Sequence, residues 1–363
     1  MKRILAINTG GIGDLHGLRV RRLTANLPFD VEVYDVDRLR GRQYNLREIR
    51  RLLTTGNWDL VYQEATGIVG GVNVIRAARE WGQRYIVSTG DPVGGYFRNG
   101  RGAAAGWLAE RYERSLYRNC VCFVGWTPYL AGMALQMGAP RAVTIEGAVD
   151  TNVFKPAGGS QNRIIRDRLG IPPTAIVCGV VGSIKWSARH RYCYGLELVR
   201  MLDHLKRPDV TILIVGDGDG MGRLREEAAR HGDRVVFAGR VPETEVADLI
   251  NVMDIGFITQ TLDGLGNFRL TTKMPEYLAA GVPVAVSPIP GFFDYVLDAG
   301  WPLPACHPSS DEMFRGIAVW LDGLSRDEVE SKARHARKIA LERFDYAVIA
   351  PRFHALIDHL MAE

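Results

Sequence analysis

A chain of 363 residues, 47% hydrophobic and 24% charged, has the composition of a globular protein and length enough for two domains. Its net charge is a modest +4, no run approaches the roughly 20 apolar residues of a membrane span, and no nucleic-acid partner is expected. The five cysteines, Cys120, Cys122, Cys178, Cys193 and Cys306, are odd in number and lack a C-x-x-C pair, which argues against a disulfide framework or a zinc site.

The amino terminus runs straight into a strand-like stretch, Arg3–Asn8, and a glycine-rich turn. Its apolar run is too short for a signal peptide, so a cytoplasmic chain is expected. Further strand-like runs at 31–36, 60–63, 85–88 and 121–124 alternate with amphipathic stretches at 18–27, 45–54, 72–81 and 103–118. Strands separated by helices of that length imply right-handed crossovers and a parallel, doubly wound sheet. Cys120 and Cys122, two apart at the last of these runs, are expected to share a face as buried thiols. Nine arginines lie between residues 19 and 51, against Asp30, Glu32, Asp35, Asp37 and Glu48. Such a patch suits peripheral contact with the inner face of a membrane or a phosphate-bearing acceptor; equally, it suits two solvated helix faces.

A polar break, Lys155-Pro-Ala-Gly-Gly-Ser-Gln-Asn162, precedes a second alternation. Strands are expected at 176–181, 210–215, 235–238, 255–259 and 284–287, with helices at 195–205, 223–231, 243–253 and from Lys273. Two amphipathic helices, 327–343 and 348–361, close the chain around a break at Phe344-Asp345-Tyr346. The expected organisation is one Rossmann-like domain over 1–157, a second over 158–343, and a helix over 344–363 returning towards the first.

Parallel sheets place ligands at the C-terminal ends of their strands, so the strand-to-helix junctions hold the candidate sites. In Asn8-Thr-Gly-Gly-Ile-Gly-Asp14, Gly10 and Gly11 would let the backbone approach a ligand and the following helix would favour an anion, or the turn is merely tight. Val181-Gly-Ser-Ile-Lys185 carries Ser183 and Lys185, with Arg189 and Arg191 following; three cations after a strand suit a diphosphate. Leu213-Ile-Val-Gly-Asp-Gly-Asp-Gly220 is a third glycine loop, with Gly216 at its start. The fourth junction, from Gly264 to Pro283, leads through Arg269, Leu270, Thr271 and Thr272 into a helix near Lys273. Glu276 in its first turn either accepts both hydroxyls of a ribose or answers the helix dipole. Asp91, in Ser88-Thr-Gly-Asp91-Pro, either faces a ligand or forms the turn. His16 is a further candidate, or a surface histidine.

These motifs, in this order over most of the chain, resemble the retaining glycosyltransferases of family 4. Gly147-Ala-Val-Asp-Thr-Asn-Val-Phe154 is similar to that family's interdomain run, and Ile214-Val-Gly-Asp-Gly, Val236-Phe-Ala-Gly-Arg-Val241 and Lys273-Met-Pro-Glu-Tyr-Leu-Ala-Ala-Gly-Val-Pro-Val284 match as well. The resemblance implies a GT-B fold, two Rossmann-like domains facing across a cleft, with a nucleotide-sugar, a UDP-sugar by family frequency, as co-substrate and no cofactor. It implies that Arg240 and Val241 border the base and Glu276 the ribose. Lys185 with Arg189 or Arg191, helped by N–H groups of Leu270 to Thr272, would hold the diphosphate. Gly10 and Gly11 would give the donor phosphates or acceptor room, and Asp91 and His16 would reach donor sugar or acceptor. The acceptor would be a glycan, a lipid-linked molecule or a small molecule. The sequence is read as having no Asp-x-Asp motif beside a phosphate-like site, so metal independence is expected. Two departures stand out: Phe268 occupies the position of the family's first glutamate, and Tyr194 precedes Gly195 where a lysine is usual. Alternatives are a catalytically inactive nucleotide-sugar-binding scaffold and, on the same fold, a nucleotide-sugar 2-epimerase or a sugar phosphorylase.

Overall fold

The computed structural model describes residues 1–363, the side chain of Glu243 excepted. Contacts divide them into two units. Met1–Ala148, Phe268–Leu270 and Tyr346–Glu363 form the first; Val149–Asn267 and Thr271–Asp345 form the second.

In the first unit the chain runs β1 (Arg3–Asn8), α1 (Leu15–Thr24), β2 (Asp30–Asp35), α2 (Gly41–Thr55), β3 (Leu60–Glu64) and α3 (Ile68–Trp81). It continues with β4 (Tyr85–Thr89), α4 (Val93–Arg101), α5 (Ala103–Arg118), β5 (Cys122–Gly125), α6 (Pro128–Gln136) and β6 (Ala142–Thr144). The sheet is parallel, in the order β2-β1-β3-β4-β5-β6. Its central strands are buried on both faces, so alternate residues serve separate cores. Leu5, Ile7, Val61, Val87 and Phe123 pack with residues of α2, α3, α5 and α6, whereas Ile4, Ala6, Tyr62, Ile86 and Val124 face the other way.

On that second side α1 supplies Val20 and Leu23. Six strands at about 4.8 Å spacing make a sheet roughly 24 Å wide, about twice what one helix covers. The remaining surface is closed by the last helix of the chain, Tyr346–Ala362, which brings Ile349, Phe353, Ile357, Leu360 and Met361 into the same core. The expected return of the C-terminal helix is therefore a matter of covering an apolar sheet face. The cysteine expectation is corrected here: Cys120 lies before β5 and packs in one core, while Cys122 within β5 packs in the other. Both are buried, as are Cys178 and Cys193; Cys306 is half-buried.

The second unit contains α7 (Gly159–Arg168), β7 (Ile176–Val181), α8 (Leu196–Met201), β8 (Val210–Val215), α9 (Met221–Ala228), β9 (Val235–Gly239) and α10 (Glu243–Asn251). Next come β10 (Ile255–Ile258), α11 (Lys273–Ala279), β11 (Val284–Val286), α12 (Pro290–Tyr295), β12 (Gly300–Pro302), α13 (Asp311–Gly323) and α14 (Arg326–Ile339); the terminal helix of the chain is α15. This sheet is also parallel, in the order β12-β11-β10-β7-β8-β9. The polar stretch read as a break holds the start of α7, at Gly159. Helices α4, α6, α7, α12 and α13 and the short strands β6 and β12 were not anticipated. α4, Val93-Gly-Gly-Tyr-Phe-Arg-Asn-Gly-Arg101, has poor local propensity and is held by a distant cap. Buried Glu113 accepts from the N–H groups of Val93 at 2.9 Å and Gly94 at 3.0 Å. No helix among the described residues is long and apolar enough to cross a membrane.

Phe353 is fully buried, with its ring centroid 5.0 Å from that of Tyr62. Phe353→Ala is expected to lower the stability of the first unit by about 3–5 kcal/mol in urea denaturation. A loss well under 1 kcal/mol would mean that α15 does not complete this core.

Candidate functional site

In each sheet the order reverses beside one strand, and the loops at that point flank the crevice where open parallel sheets bind ligands. In the second unit the reversal lies between β7 and β10. After β7 the chain bends through Gly182 to Lys185, held by backbone bonds from Gly182 N to Val215 O (2.9 Å) and from Ile184 N to Asp217 O (3.0 Å). The loop after β8 lies directly on it: a Cβ on Gly216 would sit 1.8 Å from Gly182 O, and one on Gly218 2.3 Å from Ile184 O. The glycine spacing of this loop is thus accounted for by backbone lying on backbone, which is a structural reason for Gly216 independent of any ligand. The loop also contains an Asp-x-Asp that the sequence reading passed over, Asp217-Gly-Asp219. Asp219 accepts from Trp186 N at 2.7 Å and ties the two loops together, while Asp217 accepts from Gly218 N at 2.8 Å within its own loop.

Beyond Lys185 a tight excursion is pinned by paired backbone bonds between Ser187 and Tyr192, at 2.8 and 3.2 Å, and turns at Arg191 with φ +48°. Ser183, Lys185, Arg189 and Arg191 all stand exposed on this braced segment. Across the switch point Glu197, fully buried in the first turn of α8, accepts from Thr259 Oγ1 at 2.5 Å; burial above all raises its pKa. Glu276 is nearly buried in α11 and bonded by Lys273 Nζ at 2.9 Å, with Thr271 and Thr272 just ahead of the helix. Arg240 and Val241 follow β9 at the sheet edge; Arg240 is exposed.

Arg269 and Leu270 do not cluster with this set. With Phe268 they belong to the first unit, where Arg269 Nε bonds Asp91 Oδ1 at 2.8 Å and Leu270 is buried. Phe268 packs against the core under β1, β3 and α6, and its carbonyl accepts from Thr127 Oγ1 at 2.7 Å. Phe268 therefore serves packing.

In the first unit the reversal lies between β1 and β3. The glycine turn after β1 is largely self-satisfied. Asn8 bonds Gly10 N and Gly11 O, both at 2.9 Å, and Arg38 bonds Gly10 O. The anion that the start of α1 was expected to attract is supplied by the chain itself: Asp14 is its N-cap and accepts from Gly17 N at 3.0 Å.

The chemistry here centres on Glu64, fully buried at the end of β3. His16 Nδ1 lies 3.3 Å from one of its oxygens; Arg19 Nε lies 3.6 Å from the other, which also accepts from Tyr62 OH. Arg19 is itself 1% exposed, donates to the carbonyls of Glu146 (2.8 Å) and Ile145 (3.0 Å), and lies over the Trp126 ring at 4.7 Å. Burial acts most strongly on Glu64 and favours its neutral form, but the bonds and charges of His16, Arg19 and Tyr62 outweigh it, so its pKa falls. Burial likewise opposes the His16 cation, yet Glu64, with Asp14 and Asp91, raises its pKa. His16 is therefore a half-buried, carboxylate-held imidazole rather than a surface histidine.

Glu64, Arg19, Tyr62 and Trp126 were missed by sequence reasoning, because Leu-Val-Tyr-Gln-Glu64 reads as an ordinary strand end. Its one legible signal is a carboxylate closing an apolar strand. The arginine patch of residues 19–51 is largely spent inside the unit. Arg19 is buried, Arg38 holds Gly10, Arg21 pairs with Asp35, Arg40 with Asp37 at 3.4 Å and Arg51 with Glu48.

Comparison with known proteins agrees with this architecture. A family model described as "Glycosyl transferases group 1" matches residues 175–321, most of the second unit. A 2-deoxystreptamine N-acetyl-D-glucosaminyltransferase of Streptomyces fradiae is 28% identical over 178 residues, 47% of this chain and 38% of that protein. The chain thus spans well under two thirds of that relative. The crystal structure of Anabaena Alr3699/HepE with UDP and glucose superposes with a TM-score of 0.76 at 17% identity, covering 99% of this chain and 100% of that one. Sucrose-phosphate synthase from Thermosynechococcus elongatus gives a TM-score of 0.76 at 16% identity, covering 100% of each chain. The fold is GT-B, and residues 175–321 carry a glycosyl transferases group 1 domain.

Glu64→Gln is expected to lower the His16 pKa, read by NMR titration, and to cost about 3–5 kcal/mol through the Arg19 charge left unpaired. The signs are opposite in the two partners. Stability from the depressed Glu64 is present above the ordinary carboxylate range and fades as pH falls through its native pKa. Stability from the elevated His16 is full below the free-imidazole value and fades as pH rises through its native pKa. An unchanged His16 titration in the variant would show that Glu64 does not hold its proton.

Proposed function

We propose that the chain is a retaining glycosyltransferase of family 4. It takes a sugar from a nucleotide-diphosphate donor, a UDP-sugar in preference, and gives it to a glycan, lipid-linked or small-molecule acceptor. The observation that carries the proposal is the overlap of the glycosyl transferases group 1 domain with the exposed cations at the switch point of the second unit. The uridine preference follows the UDP in the Anabaena structure. In this reading the enzyme works in the cytoplasm and needs neither metal nor cofactor.

Lys185, with Arg189 or Arg191, holds the diphosphate; Lys supplies a point charge and Arg a two-pronged donor. Ser183, Thr271 and Thr272 add neutral donors. Glu276 takes the ribose hydroxyls once its oxygens turn from Lys273, and Arg240 and Val241 border the base. The acceptor oxygen bonds to the anomeric carbon on the face from which the diphosphate leaves, as the bond from that carbon to the phosphate oxygen breaks. The acceptor proton passes to an oxygen of the leaving phosphate. Charge grows on the diphosphate, so fixed cations do the catalytic work. Asp91 and His16 are left for sugar or acceptor.

The second reading, an inactive nucleotide-sugar-binding subunit, is favoured by Phe268 where a carboxylate is usual. A thermal-shift series with UDP, GDP, ADP and TDP tests the common premise. UDP at about 100 times its dissociation constant is expected to add about 2.7 kcal/mol of stability, and Glu276→Ala to lose that response. Lys185→Ala is expected to lower sugar transfer by about 100-fold or more. No shift with any nucleotide sinks both readings. A UDP response with no transfer to a broad acceptor set favours the binding subunit, and conversion of the UDP-sugar without acceptor favours a 2-epimerase.

A further inference from the structure

Helices α4 and α5 form a hairpin whose inner side is explained by packing. Glu113 is buried beneath it, caps α4 and accepts from Tyr117 OH at 2.7 Å. A Cβ on Gly106 would lie 2.6 Å from that of Arg98, so the helices meet closely. The outer side has no such account. Trp107 and Leu108 of α5 are 55% and 62% exposed, and Tyr96 of α4 is 58% exposed. Along α5 the exposed residues Ala104, Trp107, Leu108, Arg111, Arg114 and Arg118 recur at helical spacing, forming one stripe.

The charge on this surface is of one sign. Residues 93–118 hold five arginines and two glutamates; Glu113 is buried, and Glu110 is taken by Arg98. Among the described residues Arg101, Arg111 and Arg114 have no ion-pair partner. Arg111 lies over the Trp107 ring at 5.0 Å and Arg101 over the Phe97 ring at 5.5 Å. The hairpin therefore differs from the arginine-rich 19–51 stretch, most of whose cations are committed internally. On this helix face adjacent Trp107 and Leu108 leave apolar surface in water, rimmed by hydrated arginines. At an anionic lipid interface the ring sits at headgroup depth and the guanidinium groups meet phosphates. A stripe along a convex helix also matches an extended surface better than a shaped pocket.

We propose that the outer face of the α4–α5 hairpin docks this protein on an anionic bilayer surface, with Trp107 and Leu108 in the headgroup layer and Arg101, Arg111 and Arg114 on lipid phosphates. The proposal stands apart from the donor chemistry of the second unit and survives its failure.

The test is co-sedimentation of the full chain with vesicles of phosphatidylcholine alone or of an equimolar mixture with phosphatidylglycerol. The wild type is expected to pellet with the mixed vesicles only. Arg111→Gln with Arg114→Gln should weaken that partition about 25-fold, about fivefold for each charge near the surface. Trp107→Ala with Leu108→Ala should weaken it as well. All four residues are exposed, and an unchanged melting temperature checks that the variants fold. Arg42→Gln with Arg47→Gln, in the other basic stretch, should leave partition unchanged. The proposal is overturned if the wild type ignores mixed vesicles, if the hairpin variants pellet like wild type, or if the Arg42/Arg47 variant loses as much as they do. It is equally overturned if sedimentation equilibrium shows a self-associated species that the Trp107/Leu108 variant abolishes, since a second copy would then cover the face.

Discussion

A carboxylate buried at the end of a central strand is the constraint around which the first unit is arranged. Glu64 can be ionised without solvent only because Arg19, His16 and Tyr62 converge on its two oxygens. A buried ion pair of this kind adds little net stability over an apolar equivalent, yet losing one partner is expensive. Its consequence is positional. Arg19 also grips the carbonyls of Ile145 and Glu146, so one side chain ties α1 to β3 and to the segment after β6. Fixing α1 fixes its N-cap, Asp14, and with it the glycine turn beneath.

The second unit handles charge in the opposite way. Its candidate cations stand exposed, while rigidity comes from the backbone under them, where Gly216 and Gly218 let one loop lie on another. Rigidity then resides in the loop, and the charged side chains lie at its surface. The helix starts in the two units offer less than the sequence implied. Asp14 already occupies that of α1, and Lys273 and Glu276 pair in the first turn of the short α11.

What could be read in advance follows from the same physics. Strands buried on both faces appear as unbroken apolar runs, and β1, β7 and β8 fall at the residues their hydrophobicity marks. Glycines and cations directly after such runs were visible for the same reason. α4 was not visible, because its cap, Glu113, arrives from a later helix. The separation of Cys120 from Cys122 was hidden by where β5 begins, since alternation holds only within a strand. Glu64 was hidden because its meaning lies in Arg19, 45 residues earlier, and no local pattern links the two.

The segment after β10 carries this reasoning furthest. Read along the chain, Phe268 to Lys273 is one run leading into a helix, and all of its polar groups look like donor ligands. In space its residues have two allegiances: Phe268–Leu270 cluster with the first unit, and Thr271 onward with the second. An aromatic ring at 268 fills a core where a carboxylate could not be buried without a partner, and the adjacent Arg269 engages Asp91. Phenylalanine at 268 thus suits its surroundings: the ring anchors the segment, and the arginine beside it takes the half-exposed carboxylate of β4's loop. Arg269 and Leu270 consequently belong structurally with Asp91, whereas Thr271, Thr272 and Glu276 belong to the second unit.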